Sequence, residues 1–127
     1  MENLIRPAIP DSPYFPEVNF DYSTGICELT GESYMEETYK FYAPLVDWLN
    51  NYIQGGKPIT FNFRLTYFNT STSRLILEIL EILEKYKLAG GSVIINWYYR
   101  SSDPDMVEEI EDFQRELSME INMIAFY

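Results

Sequence analysis

Residues 59–83, ITFNFRLTYFNTSTSRLILEILEIL, change hydrophobic period part-way along. From Ile59 to Phe68, β-branched and aromatic residues alternate with polar ones at every second position, which is the pattern of a strand. From Leu75 the apolar positions Leu75, Ile76, Ile79, Leu80 and Leu83 recur at helical spacing, with Glu81 and Lys85 paired at i,i+4. The polar run Asn69-Thr70-Ser71-Thr72-Ser73 joins the two. Past Gly90 and Gly91, which end the helix, Ser92 to Tyr99 (SVIINWYY) is apolar on both faces apart from Asn96, as a central strand covered by helices is. A strand, a helix and a second strand in this order demand a right-handed crossover and a parallel pair.

Towards the N-terminus, Val18–Asp21 and Ile26–Thr30 are short β-prone segments around Ser23-Thr24-Gly25, a hairpin in which Gly25 takes positive φ at low cost. The segment 33–56 carries Phe41, Leu45, Trp48, Leu49 and Tyr52 at helical spacing before Gly55-Gly56. Ser33 and Glu36 have capping-box spacing, and Pro44 implies either a kink or a late start. Asp103 as N-cap with Pro104 behind it opens a third helix through Met106, Val107, Ile110, Phe113 and Leu117. Glu120 to Tyr127 reads as a last strand. The expected fold is α/β: one domain over residues 1–127, three main helices, and a mixed sheet of about five strands. Its N-terminal hairpin edge is antiparallel and the remaining strands are parallel. Residues 1–14, with Pro7, Pro10 and Pro13, read as an extended arm.

Twenty acids against nine bases and no histidine give a formal charge of -11, which repels nucleic acid and anionic membrane surfaces. No apolar run approaches the ~20 residues of a spanning helix. One cysteine, Cys27, and an N-terminus without a secretory pattern make the cytosol the expected location. Enzyme templates are missing: there is no metal-spaced Cys/His set, no P-loop and no dinucleotide-binding glycine pattern. The acid pairs Glu36-Glu37 and Asp103/Asp105 read as solvated or helix N-terminal charge, and no cofactor is expected.

The loop 69–73 stands beyond the carboxyl end of a parallel strand and before a helix N-terminus, a place that tolerates negative charge. Two readings stay open: the residues cap the helix, or one hydroxyl carries a phosphate, with Arg74 a helical turn from Thr70. A charged, hydrated group in a docking surface costs binding free energy, so phosphorylation would release a partner. The partner-facing set is then Asn69, Thr70, Ser71, Thr72, Arg74, Tyr99 and Arg100. A second class of reading is a small-molecule or weakly catalytic pocket near Tyr98, Tyr99 and the Asn69 loop. Trp97 reads as core, and Cys27 as a small buried hydrophobe.

Four segments together carry a resemblance: Gly31-Glu32-Ser33-Tyr34 with Glu36; Val46-Asp47-Trp48-Leu49; Tyr67-Phe68-Asn69-Thr70-Ser71 with its aliphatic helix; and Asn96-Trp97-Tyr98-Tyr99. The chain resembles the SiaC-like phosphoproteins of bacterial biofilm regulation, which are similar to anti-sigma factor antagonists of the SpoIIAA or STAS-like fold. The resemblance implies a non-catalytic partner-switching protein. In such a protein a cognate Ser/Thr kinase phosphorylates Thr70, with Ser71 the alternative, and a PP2C-like phosphatase reverses it. The unphosphorylated form, by the same resemblance, binds a target such as a diguanylate cyclase and raises cyclic di-GMP production.

Overall fold

The computed structural model describes all 127 residues. In chain order the elements are β1 (Leu4–Arg6), β2 (Glu17–Phe20), β3 (Ile26–Ser33), α1 (Thr38–Ile53), β4 (Ile59–Phe68), α2 (Thr70–Leu88), β5 (Val93–Arg100), α3 (Pro104–Glu116) and β6 (Ile121–Phe126). They form one six-stranded sheet whose spatial order is the sequence order. β1, β2 and β3 pair antiparallel, and β3 to β6 pair parallel.

The expected α/β class, the antiparallel edge and the three helices are all present, with one strand more than expected. That strand comes from the arm. Leu4–Arg6 pairs with Val18–Phe20. Glu2 O accepts from Trp48 Nε1 at 2.8 Å, and Asn3 Oδ1 accepts from the Tyr22 N–H at 2.8 Å. In the hairpin, the Asp21 carboxylate accepts from Ser23 Oγ and from the Ser23 and Thr24 N–H groups. These bonds hold its carboxyl below the usual carboxylate range, the Ser23 hydroxyl contributing most. Gly25 then turns the chain at φ +73°.

Each parallel crossover moves one strand further in the same direction. Right-handedness therefore puts all three helices on one face of the sheet. This corrects the expectation that β5 is covered on both faces. Val93, Ile95 and Trp97 point into the core, whereas Ile94 on the other face is 48% exposed. Across that open face runs a polar ladder: Asn122 Nδ2 donates to Asn96 Oδ1 (3.1 Å), Asn96 Nδ2 to Asn62 Oδ1 (2.9 Å), and Asn62 Nδ2 to Glu28 Oε2 (3.3 Å). Arg64 Nε donates to the same Glu28 oxygen at 3.2 Å, and its guanidinium lies 3.8 Å from the centre of the Tyr98 ring. The ladder pairs polar groups that a helix-covered face would have to bury.

On the covered face a single cluster of buried apolar side chains joins strands and helices. Trp97 lies within it, stacked on Phe63 at 4.4 Å and on Phe113 at 5.7 Å. Burial of each such side chain stabilises the fold by roughly 1.5–3 kcal/mol. Cys27 is fully buried, and burial pushes its thiol well above its ordinary pKa. Pro44 sits inside α1, which begins only at Thr38.

Candidate functional site

The 69–74 segment divides its polar side chains between inside and outside. Asn69 is the N-cap of α2: its side-chain oxygen accepts from the Thr72 N–H at 2.9 Å. Its own N–H donates to Ser33 O at 3.2 Å, which ties the start of α2 to the end of β3. Ser73 Oγ returns to Thr70 O at 2.9 Å. Thr70 and Ser71 are exposed, and neither hydroxyl has a hydrogen-bond partner in the chain. Capping and modification are therefore not competitors, because capping uses Asn69 and leaves Thr70 and Ser71 free.

Thr72 does not belong with them. It is fully buried, its Oγ1 donates to Ser33 O at 2.9 Å, and it stands 2.9 Å from Ser33 Oγ. Ser33 Oγ in turn lies 2.8 Å from Tyr42 Oη. Thr72 is thus withdrawn from the partner-facing set. Ser33, expected at the start of a capping box, is instead the last residue of β3, and α1 starts at Thr38 with no side-chain cap. One proton arrangement satisfies the whole buried chain: Tyr42 donates to Ser33 Oγ, Ser33 to Thr72 Oγ1, and Thr72 to Ser33 O. Burial pushes the Tyr42 phenol up, so it stays protonated and able to donate. Thr72→Val leaves this chain one group short and is expected to cost about 2 kcal/mol, whereas Thr70→Val stays within about 0.5 kcal/mol. Urea unfolding midpoints of the two variants check this; equal midpoints would contradict the buried network.

Two clefts and an aromatic ridge are built in part from residues that flank Thr70 in the chain. Ser71 and Arg74 line a shallow cleft of about 570 Å³ with Glu36, Glu37, Tyr39 and Lys40. Arg74 is exposed and takes part in none of the three ion pairs, which join Lys40 to Glu37, Arg64 to Glu28 and Arg115 to Asp112. A second cleft, about 550 Å³, lies between the end of β4 (Thr66, Tyr67, Phe68) and the acidic side of α3 (Asp103, Asp105, Glu108, Glu109, Asp112). Burial, and then Asp112, Glu108 and Asp105, push the Glu109 carboxyl up. Tyr67, which lines the second cleft, meets Tyr34 edge-on at 5.6 Å, and Tyr34 meets Tyr14 at 6.0 Å. This ridge leads into an aromatic groove of about 800 Å³ lined by Tyr14, Phe15, Tyr34, Met35 and Phe41.

Tyr99 and Arg100 end β5. The β4–β5 pairing stops at Phe63–Trp97, and the end of β5 pairs only with β6. No hydrogen bond joins either residue to 69–74. Tyr98 and Tyr99 point to opposite faces of the sheet, Tyr98 under Arg64 and Tyr99 against the core, so they cannot together line one pocket. The sheet also has no topological switch point, because every crossover runs the same way. Tyr34 and Tyr67 were not in the expected set. Their signal in the sequence is that both stand in segments that carry the family resemblance, Tyr34 directly after Ser33 and Tyr67 two residues before Asn69.

The family described as "SiaC family regulatory phosphoprotein" matches residues 9–126. An uncharacterized protein of Pseudomonas aeruginosa (strain UCBPP-PA14) is 29% identical over 111 residues, 87% of this chain and 88% of its own length. The structure of SiaC of Pseudomonas aeruginosa superposes with a TM-score of 0.90 at 27% identity, over 99% of this chain and 100% of that one. A chain in the crystal structure of the diguanylate cyclase SiaD in complex with its activator SiaC, also from Pseudomonas aeruginosa, gives a TM-score of 0.91 at 27% identity. It is covered to 99%, and this chain to 97%. No helix here is long and apolar enough to cross a membrane. A regulatory rather than catalytic role, expected from the residues, is the role of this family, and the chain belongs to the SiaC family of regulatory phosphoproteins.

Proposed function

We propose that this chain is a phosphorylation-controlled docking protein of the cytoplasm, switched at Thr70, whose unphosphorylated form binds and activates a diguanylate cyclase. The observation that carries the site is the division of hydroxyls: Thr72 is buried, Ser73 is bonded back to the helix, and Thr70 stands exposed and unpartnered at the first residue of α2. The helix N-terminus accepts a phosphate there, and Arg74 is one turn away with no ion pair of its own. Ser71 is the alternative; its cleft holds the carboxylates of Glu36 and Glu37 as well as the cations of Lys40 and Arg74.

The cyclase is proposed from the relative: SiaC of Pseudomonas aeruginosa is the activator in the SiaD complex, and the shared fold extends over nearly the whole chain. The docking surface is assigned to the Tyr34–Tyr67 ridge and the start of α2, with Asn69, Thr70, Ser71 and Arg74. A Ser/Thr protein kinase and a PP2C-like phosphatase complete the cycle. With that kinase, ATP and magnesium, intact mass is expected to rise by a single phosphate in wild type and in Ser71→Ala but not in Thr70→Ala; the phosphatase removes it. Incorporation that survives Thr70→Ala overturns the site.

A further inference from the structure

β6 ends the sheet as an open edge, and its outward-facing groups can be identified. In a parallel strand successive residues turn their N–H and C=O alternately toward and away from the neighbouring strand. Phe126 O accepts from Ser101 N–H at the end of β5, so the even residues of β6 face inward. Ile121 N–H faces outward and donates to Gln114 Oε1 at 2.7 Å, while Gln114 Nε2 donates to Met119 O. Gln114 therefore covers only the first outward residue, and the main-chain groups of Met123 and Ala125 stay open.

Natural sheets blunt such edges with short strands, prolines, bulges or charges. The opposite edge does so: β1 is three residues long, ends in Arg6 and is followed by Pro7. β6 is six residues, INMIAF, with no charge and no proline. Its side chains are exposed on both faces, Met123 and Ile124 at 36% and Phe126 at 39%.

We propose that this edge pairs antiparallel with β6 of a second copy, making a two-fold dimer with a continuous sheet. The open groups fix the register. Met123 must face Ala125 of the other copy and Ala125 must face its Met123, giving about four main-chain hydrogen bonds. Ile124 then faces its own counterpart across the two-fold axis, and Asn122 faces Phe126. A register centred on Met123 would need the Ile121 N–H that Gln114 already holds.

The whole chain carries -11, but the edge strand itself presents no charge to oppose a like partner. The strand is neutral, and Asp105, Glu108, Glu109 and Asp112 line the cleft on the β4 side of α3. The α3 residues nearest the edge, by helical spacing from Gln114, are Val107 and Glu111, with Arg115 beside them. Each copy therefore brings Glu111 and, just before β6, Glu120 towards the seam, while Arg115 is paired with Asp112; the interface is isologous, and its main-chain bonds have to outweigh this modest, salt-screened repulsion.

Sedimentation equilibrium from about 1 μM to about 1 mM is expected to show wild type rising from 15.0 kDa toward twice that mass. Ala125→Pro deletes an outward N–H that no neighbour within the chain uses; it is expected to remain a folded single-chain species throughout. If Ala125→Pro fails to fold by circular dichroism, Ile124→Lys, which sets two ammonium groups face to face on the axis, must give the same single-chain result. Ile124→Cys is expected to cross-link with itself on mild oxidation and Asn122→Cys not to, against a wild-type background of buried Cys27. A single-chain mass for wild type at about 1 mM overturns the proposal, as does a dimer that both edge variants leave intact. So does loss of cyclase binding in Ala125→Pro with no wild-type dimer, which would give the edge to a strand of the target instead.

Discussion

Gly25→Ala is expected to lower stability by about 3–5 kcal/mol, and Gly56→Ala by only about 1 kcal/mol, although both glycines have nearly the same positive φ, +73° and +69°. The shared cost is the left-handed backbone. The difference is space. A Cβ on Gly56 meets nothing within 4 Å, whereas one on Gly25 stands 2.4 Å from Pro58 O and 2.4 Å from Tyr52 Oη. Those two atoms are bonded to each other at 2.7 Å, so neither yields without breaking that contact. The backbone cannot move away either, since Gly25 N–H donates to Asp21 O and Thr60 N–H to Gly25 O. A domain of this size holds about 5–15 kcal/mol in total, so the substitution removes a large share. Urea midpoints measure it, and equal losses for the two variants would mean that the hairpin turn is not locked against the β3–β4 seam.

Gly25 was legible as a turn because its requirement is local, and the same holds for the switch of period at Asn69 and for the Asp103-Pro104 start of α3. What was not legible depends on partners distant in sequence. β1 has three residues between polar and proline-rich neighbours and becomes a strand only because β2 offers it an edge. The single-sided sheet follows from strand order, which no segment states alone. A trace of it is nevertheless present: Phe61-Asn62-Phe63, Ile95-Asn96-Trp97 and Ile121-Asn122-Met123 each set an asparagine between two apolar residues. These are the residues that align into the ladder across the open face.

The site was half legible for a related reason. Read as a loop, Thr70, Ser71, Thr72 and Ser73 look equivalent. Read as the first turns of a helix, Thr72 falls on the stripe with Ile76, Ile79 and Leu83, the buried face of α2. A threonine on that stripe must find buried partners, and Ser33 and Tyr42 supply them from β3 and α1. The hydroxyl network thus joins three elements directly beneath Thr70, which explains how an exposed residue can sit on a fixed platform. The aromatic ridge lay beyond sequence reasoning, because Tyr14, Tyr34 and Tyr67 come from three separate segments and meet only in the folded sheet.

Thr70→Asp is expected to weaken binding to the target cyclase about 100-fold, close to 2.7 kcal/mol, while leaving folding stability unchanged or slightly higher. The two effects have separate causes. In the free protein the carboxylate stands at the first residue of α2, in water and at the positive end of the helix dipole, where it costs nothing and gains a few tenths of a kcal/mol. On the proposed docking surface the same group would be covered beside the cleft that Tyr67 shares with the acidic side of α3, and it would lose hydration with no cation gained from this chain but Arg74. Thr70→Val, which keeps the shape without the charge, is expected to bind within about threefold of wild type, so charge rather than volume is what the partner reads. Titration calorimetry against the cyclase with matched thermal melts separates the cases. Binding lost equally in Thr70→Val and Thr70→Asp would make the position a steric contact, and unchanged binding in both would move the switch away from Thr70 altogether.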